Sequence, residues 1–211
     1  MTETRTYHSP TREAAKAETR DRILDAVVRV VLDDGIHAFT VQNVAKKAEV
    51  SHRTVYRHFE TREELLEGLG ERLQTLSSRS GVPDVPESLD DLRTHVEPSF
   101  HAFGDLAKLL RAYVVTSIAL QWQTGTRKRR TKTFETIIRR AFPNLPRAEL
   151  REAATMIRTI GGSRGWYLLT VEGDLDSVAA GRVAGWTVRT LLDDLAKRDR
   201  AAAKAKAKTG S

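Results

Sequence analysis

Three side chains with the chemistry to read bases fall on one face of the segment from residue 51 to 59. At about 100° per residue, Arg53, Thr54 and Arg57 cluster on one side of a helix, and the apolar Val55 lies on the other. Arginine forms paired hydrogen bonds with guanine, and threonine bonds a base edge or contacts the thymine methyl group. The pattern predicts a surface that reads bases in the major groove of duplex DNA.

A second set of polar residues surrounds this face and has the chemistry to bind phosphate oxygens. Hydroxyls and backbone amides at helix N-termini suit phosphates, as do tyrosine and histidine side chains beside a reading face. The candidates for this positioning role are Thr40, Ser51, His52, Tyr56 and His58. They would orient the reading helix without distinguishing one sequence from another.

Two short helices must hold these side chains. Apolar residues at three- and four-residue steps between positions 41 and 48 predict a first helix, which Thr40 would cap. Only about three residues separate it from Ser51, the cap of the second helix, and so short a turn makes the two helices cross steeply. A helical hairpin in which Arg53 and Arg57 are simply solvated is the alternative that this segment leaves open.

The segment Val50-Ser-His-Arg-Thr-Val-Tyr-Arg-His-Phe59 resembles the recognition helix of the TetR family of bacterial transcriptional regulators. The similarity extends over about residues 19 to 70. It includes the turn at Gly35 and the entry into a further helix at residues 59–66. Beyond residue 80 the resemblance is one of layout only.

The resemblance implies residue roles and shows two departures. By the family's pattern, Thr40, Tyr56 and His58 hold phosphates while the reading helix enters the major groove. The family often has a small residue at the position of Arg53 and a lysine at that of Arg62. Arg53 therefore predicts an unusual base preference, whereas Arg62 keeps the charge.

The chain divides into four parts by its pattern. Residues 1–18 are predicted to be a flexible arm, 19–80 the DNA-binding domain with its linking helix, 87–198 a second domain, and 199–211 a basic low-complexity tail. Glycine and prolines at 80–86 set the boundary between the domains. Helical periodicity without a competing strand pattern predicts an all-α fold. The TetR resemblance implies its organisation: an N-terminal three-helix helix-turn-helix domain and a C-terminal helical domain for ligand binding and dimerisation.

Local signals give approximate helix bounds. The first helix is predicted from about Ala14 to Asp33, before Gly35, and Thr61 with Glu64 predicts the start of the linking helix. The remaining helices are predicted at 88–103, 105–121, 127–142, 147–170 and 176–198. Basic residues of the arm have the chemistry to enter a minor groove, although a solvated arm is the simpler interpretation: Arg5, Arg12 and Lys16.

The last two predicted helices share small residues that let helices pack closely. Interior glycine costs about 1 kcal/mol relative to alanine, so their glycines indicate tight helix packing. The residues are Ala153, Ala154, Gly161, Gly165, Ala180, Gly181, Ala184 and Gly185. The TetR-like layout pairs its last two helices across a dimer, which implies a homodimer and a roughly palindromic operator with half-sites about 34–36 Å, or a multiple of that, apart.

Large side chains of the second domain are candidates to line a ligand pocket. They are Tyr113, Trp122, Phe134, Met156, Trp166 and Tyr167. Ordinary core packing is the competing interpretation for each, and the two tryptophans are favoured because a buried indole N–H needs a partner. The resemblance implies a small-molecule effector that shifts the protein toward a state that releases DNA.

The positive charge of the chain is not concentrated in the DNA-binding region. The 211 residues carry a net charge of +7. Residues 1–80 hold 13 basic and 13 acidic residues, whereas residues 81–211 hold 22 basic and 15 acidic ones. The excess lies mainly in the tail and at Arg127–Lys132, a solvated helix face by the simpler interpretation or else an anion site. Local charge between residues 40 and 59, not the overall charge, supports DNA binding.

Other classes of function lack their motifs. The chain has no cysteine, and its longest apolar stretch, at residues 112–120, is shorter than the ~20 residues of a membrane span. Asp91 and His95 lie four residues apart, but no third metal ligand accompanies them. Gly161–Gly165 lacks the strand and the Gly-Lys-Ser/Thr ending of a phosphate loop. Neither an enzyme, a metal site nor a cofactor is expected.

The sequence therefore predicts a DNA-binding transcriptional regulator, a repressor that a small-molecule effector releases from a palindromic operator. Its expected partners are duplex DNA, the effector and a second copy of the chain, and its expected location is the cytoplasm, because the polar N-terminus is unlike a secretory signal. A non-specific architectural DNA-binding protein is the alternative.

Overall fold

The computed structural model describes residues 10–79, 86–120 and 125–209, and within them it contains helices and no strands. The α-helices are α1 (Pro10–Arg29), α2 (Val41–Lys47), α3 (His52–His58), α4 (Arg62–Arg79), α5 (Leu89–Thr94), α6 (Val96–Asp105), α7 (Ala107–Ala119), α8 (Gly125–Ala141), α9 (Arg147–Ile160), α10 (Ser163–Tyr167) and α11 (Ser177–Thr209). Single π-helical turns at Val30–Asp34 and Leu168–Glu172 and a 3₁₀ turn at Ile36–Ala38 connect some of them. The predicted all-α fold is confirmed.

The first four helices surround one apolar core. α1 contributes its buried face, α2 and α3 each contribute a short apolar stripe, and α4 covers the third side. The side chains of this core include Ile23, Leu24, Val27, Val44, Ala48, Val55, Phe59, Leu65 and Leu69. Since α2 and α3 are only seven residues each, most of their stability comes from this packing and not from helix propensity.

α1 begins earlier than its predicted start at Ala14. The helix starts at Pro10, so residues 10–18, assigned to a flexible arm by the sequence, are helical in the structure. A proline fits the first turn of a helix because its missing N–H has no partner there, and the alanines that follow have the highest helix propensity. At the other end the chain turns at Gly35, whose φ of 85° lies in the left-handed region that its position predicted.

The second domain packs α5 to α11 around a separate core. That core includes Leu92, Val96, Phe100, Leu110, Val114, Ile138, Phe142, Leu150, Ile157, Trp166, Val188, Leu192 and Leu195. The predicted helix at 88–103 is two helices, α5 and α6, and the one at 147–170 is broken after Ile160, where Gly161 and Gly162 follow. α11 extends to Thr209, so the basic tail forms a helical continuation over most of its length.

Small residues of α11 pack against α6 of the same chain. A Cβ placed on Gly181 would lie 3.0 Å from Cβ of Phe100, and one on Gly185 would lie 2.9 Å from a carboxylate oxygen of Glu97. Arg189 donates to that same carboxylate at 2.8 Å. The close helix packing expected from these glycines is therefore present, but it lies inside one chain, and the glycines do not themselves form a surface for a second copy.

α7 belongs to both cores. Ala112 is fully buried among the residues of the first core, whereas Leu110 and Val114 are buried in the second. Tyr113 stands between them, and its ring is the nearest group to Gly70 of α4, 3.1 Å from where a Cβ would be. The two domains thus share a packed helix. The predicted boundary at residues 80–86 lies largely outside the described residues. In the part of the chain that is described, no helix is both long and apolar enough to cross a membrane.

Candidate nucleic-acid interface

Both predicted N-caps form. The Thr40 hydroxyl accepts a hydrogen bond from the backbone N–H of Asn43 at 3.2 Å, and the Ser51 hydroxyl accepts one from the backbone N–H of Thr54 at 3.1 Å. Each bond satisfies one of the free amides that every helix N-terminus has. α2 and α3 therefore begin at residues 41 and 52, as their spacing predicts.

The turn between α2 and α3 is tight. The backbone N–H of Val50 donates to the carbonyl of Ala45 at 3.1 Å, which folds the chain back directly after α2. Glu49 takes a φ of 56°, a left-handed conformation that costs a residue other than glycine about 1–2 kcal/mol. Buried Ala48 and Val55 pack behind the turn and fix how α3 leaves it. The steep crossing of a helix-turn-helix follows from this geometry.

The predicted base-reading residues lie on the outer surface of α3. Arg53 and Arg57 are exposed, and Thr54 is half-buried. Within residues 10–79, neither arginine forms an ion pair, so both guanidinium groups are available to a partner. The Thr54 hydroxyl shares a 2.9 Å hydrogen bond with the Ser51 hydroxyl. This bond restricts the rotation of the Thr54 side chain, so a predicted base-reading residue also takes part in the N-cap of α3.

The positioning residues surround this face. Thr40, Ser51 and His52 are exposed, and Tyr56 is 50% exposed although its ring is largely apolar. The ring of Tyr56 exposes apolar surface to solvent, and a bound partner would cover that surface. The structure therefore brings the predicted DNA contacts onto one side of the domain, while Val55 holds the other side of α3 in the core.

Phe59, directly after α3, anchors the helix to the domain. Its ring is 2% exposed and lies 2.7 Å from the position that a Cβ on Gly68 would take. The guanidinium carbon of Arg20 lies 4.9 Å from the ring centroid, and Arg20 also pairs with Glu71 at 2.8 Å. α1, α3 and α4 thus meet at this one aromatic side chain, which explains why glycine stands at position 68.

His58 is the most electrostatically unusual residue of the interface. Its ring is half-buried, and its Nε2 is buried without a hydrogen-bond partner among the described residues. Burial, together with the positive charges of Arg57, Lys16 and Arg20, lowers the pKa of His58 below its ordinary value of 6.5. The imidazole is therefore neutral near pH 7 in the free protein.

The two lysines of α2 differ in their freedom. Lys47 is held by Asp34 at 3.3 Å and Asp33 at 3.5 Å, while Arg29 donates to its backbone carbonyl at 3.0 Å. Lys46 is exposed and forms no ion pair within residues 10–79. The two lysines are adjacent in the sequence, and only the fold shows that the carboxylates reach one of them.

The candidate pocket residues differ in their burial within the described part of the second domain. Trp166 is 2% exposed, and its indole N–H donates to the Ser177 hydroxyl at 3.0 Å. The bond to Ser177 gives the buried indole N–H of Trp166 the hydrogen-bond partner that it needs, so Trp166 is satisfied as a core residue. Phe134 and Tyr167 are half-buried against the same core, and so is Tyr113.

One of the pocket candidates is exposed, and another lies outside the described residues. Met156 is 56% exposed on α9 and so does not lie in the interior of the described second domain, and its role in a ligand pocket stays a prediction. At about 100° per residue, Met156 lies about 60° from Ala153 and about 100° from Ile157, both of which are buried. Trp122 lies outside the described residues.

The Asp91 and His95 pair has a structural explanation. The Asp91 carboxylate accepts hydrogen bonds from the backbone N–H groups of Glu87 and Ser88, both at 3.0 Å, and closes a capping box with Ser88. The bond from Glu87, followed by those from Ser88, lowers the pKa of Asp91 below its usual value. Within the described residues, no group of three or more potential ligands forms a metal site.

Comparison with known proteins identifies the first domain. Residues 23–69 match the model of the family described as bacterial regulatory proteins, tetR family. Over 77 residues, the chain is 32% identical to an uncharacterized HTH-type transcriptional regulator, YdeS, of Bacillus subtilis; the match covers 36% of this chain and 38% of YdeS. Each curated relative is matched over less than two-fifths of its own length.

Solved structures resemble the fold of both domains. A TetR family transcription regulator from Marinobacter aquaeolei VT8 superposes with a TM-score of 0.57 at 17% identity, covering 82% of this chain and 96% of that one. The regulator FadR from Bacillus subtilis, in complex with stearoyl-CoA, gives 0.55 at 18% identity, covering 80% and 96%. The helix-turn-helix domain at residues 23–69 thus matches the tetR family of bacterial regulatory proteins, and the described fold resembles that of solved tetR-family regulators.

Proposed function

We propose that this protein is a sequence-specific DNA-binding transcriptional regulator whose α3 lies in the major groove. The observation that carries the proposal is the exposed face of α3. It presents two unpaired arginines, Arg53 and Arg57, on a helix fixed by buried Val55 and Phe59. Rigid support matters because a bidentate arginine contact discriminates between bases only when the guanidinium plane is held in register.

A homodimer is part of this proposal. Four of the exposed large apolar side chains of the described residues lie on the last helical segments: Met156, Leu168, Val178 and Trp186. Trp186 is 64% exposed, an unusual state for an indole in a protein without a partner. A second copy placed against these segments would bury them and would give a roughly palindromic operator with two half-sites.

Control by a small molecule follows from the same architecture. The second domain shares α7 with the first, so a ligand that binds one arrangement of α7 better than another would bias the position of the reading helices. FadR of Bacillus subtilis, a structural neighbour, holds stearoyl-CoA. We propose an effector for this chain as well, acting on a repressor that works in the cytoplasm.

Selection of bound fragments from genomic DNA tests this function. Purified protein is mixed with fragmented DNA at physiological salt, and the retained fragments are sequenced. Enrichment of a recurrent palindrome supports a sequence-specific dimer. Retention of fragments without a shared motif supports the architectural alternative, whose affinity is electrostatic and falls alike on all sequences as salt rises.

A small-molecule screen on the selected operator tests the control step. Compounds are added to the protein–operator complex, and release is followed by fluorescence anisotropy. An effector lowers operator affinity and, by linkage, binds the DNA-free protein more tightly by the same factor. A compound that competes at the interface obeys the same linkage but lowers operator affinity without limit as its concentration rises, whereas an effector leaves a finite residual operator affinity at saturation.

A further inference from the structure

The face of α1 that forms the first core changes character along the helix. In its C-terminal half this face carries the fully buried Ile23 and Val27. At about 100° per residue, the same face carries Arg20, Lys16 and Arg12 in the N-terminal half, at steps of four residues. The apolar stripe that faces the domain therefore becomes a cationic stripe where α1 extends beyond the core.

Contacts of Arg20 and Lys16 fix where the cationic stripe lies. The guanidinium group of Arg20 sits over the ring of Phe59, 4.9 Å from the centroid. Lys16, one turn closer to the N-terminus, lies near enough to His58 for its charge to act on the imidazole. The stripe therefore lies beside the C-terminal end of the reading helix and is continuous with the proposed DNA interface.

The outer part of the stripe is available to a partner. Arg20 is neutralised by Glu71 at 2.8 Å, which makes it part of the fold. Arg12 and Lys16 are exposed, and neither forms an ion pair with another described residue. Between residues 12 and 16 the helix carries two basic residues and one acidic residue, Glu13, so this outer part has a net positive charge.

We propose that Arg12 and Lys16 bind backbone phosphates of the DNA duplex beside the base pairs that α3 reads. At 1.5 Å per residue, Arg12 and Lys16 lie about 6 Å apart along the helix axis, similar to the axial rise of about two phosphate steps on one strand. A rigid helix presents these charges without the ordering cost that a flexible arm would carry. The inference rests on the proposed function and extends its interface to a third helix.

The test measures the salt dependence of operator binding for three proteins. They are the unchanged chain, Lys16→Gln, and Arg22→Gln as the matched control. Arg22 is also exposed on α1 and loses the same charge, but it points about 120° away from Lys16. All three are expected to fold alike, because both side chains are exposed, and circular dichroism checks this.

Loss of one phosphate contact reduces the slope of log affinity against log salt by about 0.9. Between about 50 and 200 mM salt, the unchanged protein should therefore lose about 3.5-fold more affinity than Lys16→Gln for each contact removed. Hydroxyl-radical footprints should lose protection at phosphates flanking the half-site. Arg22→Gln should keep both the slope and the footprint.

The results separate the two levels of the proposal. A selective operator complex whose salt slope and footprint are the same with Lys16→Gln overturns the phosphate contact and leaves the regulator function standing. Equal changes from Lys16→Gln and Arg22→Gln also overturn it, because net charge alone would then explain them. An unchanged protein that shows no preference for any duplex overturns the proposed function and this inference together.

Discussion

At the scale of the residue, the proposed interface divides the surface of α3 between side chains expected to distinguish bases and side chains expected to hold DNA phosphates. Arg57 is exposed with a free guanidinium group, whereas Tyr56 offers one hydroxyl on a half-exposed ring. Because Arg57 and Tyr56 are neighbours on one short helix, substituting each in turn compares a predicted base contact with a predicted phosphate contact in the same structural setting.

We expect Arg57→Ala to weaken binding most at particular base pairs, by about 1–3 kcal/mol for a lost bidentate contact. Tyr56→Phe should instead weaken all operator variants by a similar factor, because it removes a phosphate contact. Affinity for a panel of operators with single base changes measures both. An equal loss from the two substitutions on every operator would contradict this division of roles.

His58 makes the stability of the folded domain depend on pH. Burial and the neighbouring positive charges lower the pKa of His58 in the folded protein. The unfolded chain then binds a proton more readily, so stability is highest above the unfolded pKa and falls as the pH drops below about 6.5.

Urea unfolding at about pH 7.5 and about pH 5.5 checks this expectation. His58→Asn should lose less stability between the two pH values than the unchanged protein does, since other titrating groups are common to both. If the two proteins lose the same amount, the imidazole is not the group responsible.

At the scale of the element, Gly68 lets α4 approach the end of the reading helix. Alanine is usually favoured over glycine inside a helix by about 1 kcal/mol. At this position its Cβ would meet Phe59 at 2.7 Å and Leu24 at 3.2 Å. Overpacking of this kind typically costs about 1–3 kcal/mol, so we expect Gly68→Ala to destabilise the protein and to weaken DNA binding by displacing α3.

Chemical denaturation combined with operator titration measures the effect of Gly68→Ala. Ser78→Ala, an exposed change on the same helix, controls for helix propensity and should leave both quantities close to those of the unchanged protein. A more stable Gly68→Ala protein with unchanged operator affinity would show that Phe59 can move without consequence for α3.

The elements that sequence predicts well are those determined by local chemistry. Thr40 and Ser51 predict the starts of α2 and α3 because an N-cap hydroxyl accepts a hydrogen bond from a backbone N–H only three residues away. The packing partner of Gly181 was not predictable, because α6 lies some eighty residues earlier in the sequence. Small residues indicate that another helix packs closely, but they do not indicate which helix it is. Site residues followed the same division: the surface of α3 was predictable, and the exposure of Met156 was not.

At the scale of the whole molecule, the proposed homodimer would cover the exposed apolar side chains of the last helices. We expect Trp186→Glu to convert a dimer into monomers, because it places a carboxylate where the 64% exposed indole would be covered. Operator affinity should fall with it, since a monomer reads one half-site. Sedimentation velocity and operator titration measure the two effects.

Ser78→Glu serves as the control for Trp186→Glu, because it adds a carboxylate to an exposed position of α4. It should leave the assembly unchanged. A Trp186→Glu protein that sediments as the unchanged protein does would exclude this side chain from the dimer interface, and an unchanged protein that is itself monomeric would exclude the dimer.

The position of α7 in both cores has a consequence for the cooperativity of the molecule. Ala112 completes the first core from outside the sequence of the first domain, and Tyr113 rests on Gly70 beside it. A fragment that ends between α4 and α5 would therefore not be a stable DNA-reading domain, because its core would lack the side chain of Ala112, which α7 supplies. The two halves should melt in one transition, as a single folding unit, although each has its own hydrophobic centre.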